Sequence, residues 1–349
     1  MLMRKPPLAK PPRKNTNPTK STILTNTHAS HKNSKGTATN TIKNTTNTSK
    51  LIRTKSVLKS KKYYENFIKK SVKFLQKEAK KRGVENFVVG LSGGIDSAVV
   101  ACLCKMATKK QKTPKSPKNT KPSSGAFGEV FTLALPSLSS SEKSLEHAKE
   151  LATKFDLPLE ILPLEDYQNA FLQTRTNSAT KSDTNKKPLS LEMGNFCARI
   201  RMALLYDYSA QKKAIVIGTS NKSELMLGYG TIFGDLACAI NPIGSLYKSE
   251  IFALAKILKI PDSIISKPPS AELYAGQSDE AELGFSYDKI DIVLDAICEK
   301  YGDFRKVKNF QKIDIKRLCD KNPKDIAKMV KNRISQNLFK RTLPKIFVP

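Results

Sequence analysis

The 349-residue sequence predicts an α/β protein built on a doubly wound, mostly parallel sheet with flanking helices. Three observations carry that expectation. Short apolar and β-branched runs alternate with longer helical stretches, the pattern that produces parallel sheets. The stretch after the first such run is apolar almost all round, as a helix packed inside an α/β layer is. The turn between the two is rich in glycine, and ligands of open α/β sheets bind at such strand-to-helix turns.

The elements follow in order. Tyr63–Arg82 sets Phe67, Ile68, Val72, Phe74, Leu75 and Ala79 on a helical stripe and stops at Gly83, which suits a C-cap. Phe87–Leu91 reads as a buried strand, Ser97–Ala107 as the apolar helix and Val130–Leu135 as the second strand. Ser141 suits the N-cap of a helix over Glu142–Phe155, which is acidic early as the helix dipole favours. Leu159–Leu164 reads as a third strand, Phe196–Ala210 as a helix and Ala214–Gly218 as a fourth strand. Leu246–Leu258 reads as a helix that ends before Pro261. No internal repeat is present.

Charge divides the chain unevenly. The formal net charge is +30, and the first 62 residues hold 15 Lys or Arg with no Asp or Glu. Lys105–Lys121 adds seven lysines without an acid and carries Thr-Pro-Lys-Ser-Pro-Lys at Thr113–Lys118, while Arg175–Pro188 is polar and loop-like. Segments so poor in apolar side chains bury too little to offset their ordering entropy. The expected organisation is a disordered basic tail over 1–60 and one folded domain over 61–349, with polar loop insertions near 107–128 and 174–190. Such a tail suits nucleic acid or an acidic membrane surface through counterion release, but a solvated lysine-rich appendage is the plainer reading and is preferred.

The start lacks the apolar stretch of a signal peptide, and no run of 18 apolar residues reads as a membrane span. Six cysteines, Cys102, Cys104, Cys197, Cys238, Cys298 and Cys319, form no CxxC pair and sit mostly in apolar helical contexts. They read as reduced core thiols of a cytoplasmic protein.

Chemistry concentrates at Gly90-Leu91-Ser92-Gly93-Gly94-Ile95-Asp96-Ser97. Between a strand and a helix, its N–H groups and the helix N-terminus converge where an anion is favoured. Gly93 and Gly94 permit close approach and positive φ, and Ser92 and Ser97 add hydroxyl donors. Asp96 beside a phosphate calls for a divalent cation between them, hence magnesium. The loop is neither a Walker A motif nor a dinucleotide GxGxxG turn. It reads as a cradle for the pyrophosphate of ATP.

The loop resembles the SGGxDS turn of the N-type ATP pyrophosphatases, and the motifs after it narrow the resemblance to the ammonia-dependent NAD synthetase family. Those motifs are Gly194-Asn195-Phe196-Cys197-Ala198-Arg199-Ile200-Arg201-Met202, Gly218-Thr219-Ser220-Asn221-Lys222-Ser223-Glu224, Gly228-Tyr229-Gly230-Thr231 with Gly234-Asp235, and Asn241-Pro242-Ile243 through Lys248. Pro269-Ser270-Ala271-Glu272-Leu273, Gln277-Ser278-Asp279-Glu280 and Leu283-Gly284 complete the set, so that the resemblance runs from about Tyr63 to Pro344. It implies an adenine nucleotide alpha hydrolase-like, Rossmann-like fold. The implied reaction is ATP-dependent amidation of deamido-NAD by ammonia, through an acyl adenylate, to NAD, AMP and pyrophosphate.

The resemblance also assigns roles. The whole Gly90–Ser97 loop with Thr219, Lys248 and Ser270 falls on ATP-binding positions, and Asp96 and Glu224 on the magnesium ligands. Asp96 and Lys248 are the expected catalytic groups, Lys248 by stabilising polyphosphate charge as bonds shift. Arg199 and Lys340 fall on positions that bind deamido-NAD. Arg201, two residues from Arg199 and so on another helix face, reads as structural or as an interface residue. Where relatives carry a His-Lys pair this chain has Phe339-Lys340, and where some carry a lysine and an aspartate it has Ile232 and Ala239. No role is transferred to Ile232, Ala239 or Phe339.

No cysteine precedes Cys102, so the cysteine-dependent amidase domain of glutamine-dependent relatives is not expected and free ammonia is the expected nitrogen donor. The family is homodimeric, and Phe67–Leu75 and Phe196–Tyr208 offer apolar helices for the contact. The alternative is a tRNA-modifying pyrophosphatase of the same superfamily, which would give the basic tail a purpose but lacks the paired cysteines of thiolating versions.

Overall fold

The computed structural model describes residues 56–108, 128–177, 190–274, 276–305, 324–342 and 346–347. All fall within a unit running from Thr54 to Pro349. The expectations for the basic tail up to residue 55, for the lysine-rich insert over 109–127, for the polar loop over 178–189 and for Cys319 lie outside the described residues.

Four parallel strands, β1 (Asn86–Gly90), β2 (Val130–Ala134), β3 (Leu159–Ile161) and β4 (Ala214–Val216), pair in the order β3-β2-β1-β4. The expected doubly wound sheet is present. Side chains alternate across it as the pleat requires. Phe87 and Val89 of β1 enter a core shared with helices on one face, and Val88 enters a smaller core on the other. The first core holds α1 (Lys61–Lys81), α2 (Ile95–Thr108), α3 (Glu142–Phe155) and α7 (Lys248–Ile257). The second is closed by α5 (Ser190–Gln211), with Cys197 buried in it. Helix α4 (Glu165–Asn177) leads into the polar loop, and α5 begins at Ser190, earlier than its apolar run alone predicts.

Local rules set the boundaries. Ser60 caps α1 through Tyr63 N–H, and Arg82 ends it before Gly83 at φ +69°. Ser141 caps α3 by accepting from Ser144 N–H at 3.2 Å, as its sequence predicts. Helix α2 is buried along most of its length, from Ile95 to Ala107. Cys102, Cys104 and Cys197 are buried free thiols and Cys238 and Cys298 are half-buried and free. Burial pushes the Cys102 thiol up to about 12, as inert core cysteines require.

A separate apolar cluster joins α6 (Lys222–Leu227), α9 (Asp279–Leu283), α10 (Tyr287–Tyr301) and α11 (Lys324–Gln336), while the short α8 (Asp262–Ile265) packs Ile264 into the first core. Val57, ahead of α1, is buried in this cluster at 4 % exposure. Val57 therefore anchors this segment to the folded unit, although Ser56, Leu58, Lys59 and Ser60 around it are exposed and the segment's composition matches the basic tail. No helix among the described residues is long and apolar enough to cross a membrane.

Candidate active site

The strand order places the site. The order in which strands are added to the sheet reverses between β1 and β4, which run parallel, so the turn after β1 and the turn after β4 lie side by side at the carboxyl edge of the sheet. Ile217 extends β4 by a bridge to Ile240, and Gly218 N–H donates to Ile240 C=O at 2.8 Å. The Gly218–Glu224 segment and the Asn241–Lys248 segment are thereby fixed to the same edge, and Asn241 Nδ2 donates to Ser220 C=O at 2.7 Å.

The glycine loop is internally braced. Ser97 Oγ accepts from Ser92 N–H at 3.2 Å and donates to Gly94 C=O at 3.0 Å, while Ser92 Oγ accepts from Gly94 N–H at 3.3 Å. Gly93 has φ +72°, and a Cβ there would stand 2.0 Å from the backbone oxygen of Ser144 on α3. Only glycine fits both demands. Gly90 ends the strand that carries the loop, Leu91 follows it with its N–H on Leu133 C=O at 2.8 Å, and Ile95 opens α2 with Asp96 as its second residue. The N–H groups of that first turn have no partner inside the helix. Such free N–H groups at a helix start favour an anion.

Asp96 is where the distant motifs meet. Lys248, the first residue of α7, donates from Nζ to Asp96 Oδ2 and, at 3.3 Å, to Glu224 Oε1. Asn221 Nδ2 donates to Asp96 Oδ1 at 2.9 Å. Glu224 is placed by a capping box: its N–H donates to Asn221 Oδ1 at 3.0 Å, and Asn221 N–H donates to Glu224 Oε2 at 3.1 Å. The Lys248 side chain is 4 % exposed, whereas both carboxylates keep 16 %, so the cation lies beneath two acids that solvent still reaches.

Burial, the largest influence, pushes the Glu224 carboxyl up to about 8; the Lys248 ammonium opposes it, and Asp96 and Asp279 reinforce it. Burial also works against the charge of Lys248, but Asp96 and Glu224 together hold its ammonium well above the ordinary lysine range. Asp96 and Glu224 thus share one buried ammonium, and Asp279 acts on it through charge without touching it. Asp96 and Glu224 fit magnesium, which takes one or two protein carboxylates and completes its shell with water and phosphate oxygens. Among the described residues no group of three or more His, Cys, Asp or Glu side chains forms a metal cage.

The other expected residues are spread around this centre. Thr219 lies half-buried in the turn after β4. Ser270 accepts from Glu272 N–H at 3.1 Å and sits in a loop that closes over α3. Arg199 is exposed on α5. Arg201 turns inward and donates from Nε to Leu135 C=O at 2.9 Å and from Nη2 to Ser137 Oγ at 3.1 Å, holding the turn after β2 as a structural residue does. Lys340 donates from Nζ to Gly228 C=O at 2.9 Å and Gly230 C=O at 2.7 Å, so here it braces the Gly-Tyr-Gly-Thr segment. Phe339 beside it is half-exposed.

Several residues were not singled out in advance. Asn221 both caps α6 and steadies Asp96, and the Asn-x-x-Glu spacing of a capping box is its signal. Asp279 is buried, and Tyr229 donates to its Oδ1 at 3.1 Å. Glu272, at φ +48°, accepts from Ser141 Oγ at 3.0 Å, from Ser144 Oγ at 2.5 Å and from Lys267 Nζ at 3.1 Å. Nothing in the spacing of Glu272 from α3 announces that contact, because its partners are more than a hundred residues away.

Comparison with known proteins matches this arrangement. The profile of the NAD synthase family covers residues 67–344. The NH(3)-dependent NAD(+) synthetase of Campylobacter jejuni subsp. jejuni is 44% identical over 283 residues, 81% of this chain and 98% of that one. The enzyme of the same description from Helicobacter hepaticus is 43% identical over 290 residues, with the same two coverages. The solved structure of the Campylobacter jejuni NH3-dependent NAD synthetase in complex with the nitrate ion superposes with a TM-score of 0.58 at 40% identity, covering 82% of this chain and 99% of that one. NMN synthetase from Francisella tularensis gives a TM-score of 0.63 at 30% identity, covering 81% of this chain and 98% of that one. From the strand that carries its glycine loop to the helix that carries its buried lysine, the chain belongs to the NAD synthase family.

Proposed function

We propose that this carbon–nitrogen ligase of NAD biosynthesis couples ATP to amidation of the nicotinate carboxylate of deamido-NAD, with free ammonia as the nitrogen donor. The observation that carries the reading is the convergence of Asp96, Glu224 and Lys248 beside the Gly90–Ser97 loop. In the first step a carboxylate oxygen bonds to the α-phosphorus of ATP and the bond to the β-phosphate breaks, giving an acyl adenylate and pyrophosphate. In the second, ammonia bonds to the acyl carbon, AMP leaves with the C–O electron pair, and the nitrogen loses a proton to give the amide.

This chain's part is positioning and charge stabilisation. The N–H groups of the loop and of the first turn of α2 hold phosphate oxygens, with Thr219 and Ser270 as further ATP contacts. Lys248 offsets charge on the polyphosphate as the bond breaks. Asp96 and Glu224 would hold magnesium, whose chemistry is to neutralise phosphate charge and fix the leaving group. Arg199, exposed on α5, is free to meet a carboxylate or phosphate of the dinucleotide, and Lys340 reaches it by exchanging its carbonyl partners.

A dimer through α5 fits the exposed Leu191 and Tyr206 on that helix. The stripe of α1 is largely spent inside, with Ile68, Val72 and Leu75 buried. The folded synthetase unit begins near Ser56, given the burial of Val57. We read the chain as cytoplasmic.

The test is direct. Protein incubated with ATP, magnesium, ammonium and deamido-NAD should form NAD and AMP in equal amounts by chromatography, and absence of both refutes the reading. Because the Francisella tularensis neighbour is named for a mononucleotide product, the deamido mononucleotide is the competing substrate to run alongside. A higher kcat/KM for it would move the assignment from dinucleotide to mononucleotide.

A further inference from the structure

We propose that Asp291 is a positioning residue for the reaction: from α10 it clamps the N-termini of α6 and α7 together, and so sets the distance between Glu224 and Lys248. Its carboxylate is fully buried at 0 % exposure. Oδ1 accepts from Ser223 Oγ. Oδ2 accepts from Ser249 N–H at 2.9 Å and from Ser249 Oγ at 2.7 Å. Ser223 Oγ in turn accepts from Lys248 N–H at 2.9 Å.

The two serines are the sequence neighbours of the two residues whose side chains meet, Ser223 before Glu224 and Ser249 after Lys248. The first N–H groups of α7, those of Lys248 and Ser249, have no partner inside their helix, and this network satisfies both. A carboxylate at that end also complements the dipole of the ten-residue α7. Two helix starts that come from different loops are thus tied to one acceptor. Besides the tie, α6 is held against the start of α7 by the Nζ contacts of Lys248, by the Lys222 N–H bond to Leu246 C=O at 2.7 Å and by Lys222 Nζ donating to Tyr247 Oη at 2.7 Å, and of these only the Asp291 network reaches the backbone of Lys248 and Ser249.

Burial pushes the Asp291 carboxyl up to about 6, while the bonds from Ser223 and Ser249 pull it down, so the group is charged at neutral pH with three donors on it. A core built only for stability would not need a carboxylate here, since burying one is costly unless every lone pair is used. The acid touches neither Asp96 nor Glu224. It acts through the backbone that carries Glu224 and Lys248, as groups behind a metal ligand orient it.

The inference rests on the magnesium reading above, and the experiment separates the two. Binding of Mn2+ is titrated by electron paramagnetic resonance in the presence of α,β-methylene-ATP, with kcat and the KM values for ATP and deamido-NAD measured in parallel. Asp291→Asn keeps the shape but cannot accept on its Nδ2. Its Mn2+ affinity should fall about 10- to 100-fold, the range for groups behind a metal ligand, and kcat should fall while KM for deamido-NAD stays.

Should Asp291→Asn not fold, Ser223→Ala decides, because it deletes the relay to Lys248 N–H with little loss of volume; there the affinity should fall severalfold. Unchanged Mn2+ affinity in the variant that folds overturns the proposal, even if its melting temperature drops, since a purely structural acid would behave so. If wild type binds no more Mn2+ than Asp96→Ala does, the metal reading itself fails and the clamp falls with it.

Discussion

Gly93→Ala tests the loop geometry most sharply. An alanine at φ +72° sits in the left-handed region, which costs about 1–2 kcal/mol for a residue with a Cβ. The added methyl would also stand 2.0 Å from Ser144 O, 2.7 Å from its carbonyl carbon and 2.9 Å from its Cα. All three are backbone atoms at the start of α3, so no side-chain rotation relieves them. Either the loop or the helix must move by about 1 Å, and such overpacking typically costs about 1–3 kcal/mol. The sum is about 2–5 kcal/mol against a total stability of about 5–15 kcal/mol. A melting temperature lowered by about 4–20 °C is expected at roughly 2–4 °C per kcal/mol. The displacement also falls on the N–H groups that hold phosphate, so kcat/KM for ATP should drop by at least about 100-fold, the effect reported for misplacement of 1 Å. Differential scanning calorimetry and the NAD-forming assay read the two effects. A variant that melts within a degree or two of wild type and turns over normally refutes both the loop conformation and its role.

Three other perturbations probe separate parts. Lys248→Met leaves Asp96 and Glu224 facing each other without their ammonium, and should lower kcat by about 100-fold or more; a kcat within threefold of wild type would remove Lys248 from the chemistry. Deleting residues 1–55 should leave activity and melting temperature unchanged. Deleting 1–60 should lower stability by about 2–4 kcal/mol, because it removes buried Val57, worth about 1.5–3, and the Ser60 cap of α1, worth about 1; equal melting of the two truncations contradicts that. Glu272→Gln probes acid sensitivity. Burial works against the Glu272 charge, but Ser144, Lys267 and Ser141 hold its carboxyl below the ordinary 4.5. A lowered folded value means stability that is present above pH 4.5 and lost as pH falls through the folded value. The melting gap between wild type and Glu272→Gln should therefore close on acidification, and a gap that widens in acid refutes the pairing.

How far the sequence could be read depends on whether the deciding interactions are local. Helix α3 is predicted with both its ends correct, because Ser141, the early acid and the left-handed Asp156 at φ 51° all act within one turn. The strands are found within a residue or two at the start, and Ile217 falls just outside β4 because its pairing goes to Ile240 by a single bridge. Helix α4 escapes periodicity since its sides differ little in hydropathy. The early part of α5 escapes because Gly194 there is dictated from outside: a Cβ would come within 2.6 Å of the Leu273 side chain. The same division holds in the site. Asp96 stands out from its local glycine loop and Glu224 only through the family resemblance, whereas Asp279, Glu272 and Asp291 gain their meaning only from partners brought over by the fold.

One consequence concerns why Lys248 stands at a helix start. The N-terminus of a helix repels cations, so a lysine as the first residue of α7 is locally unfavourable. The offset comes from two sources that differ in reach. Glu250 in the same turn accepts from Tyr247 N–H at 3.0 Å and cancels part of the dipole locally. Asp96 and Glu224 answer the ammonium itself, and they arrive from the turns on the two sides of the switch between β1 and β4. The lysine is therefore tolerable only when the sheet has assembled and both turns are in place. Folding of the sheet and assembly of this charged cluster are one event, and a local sequence rule is broken at the residue proposed to carry the chemistry.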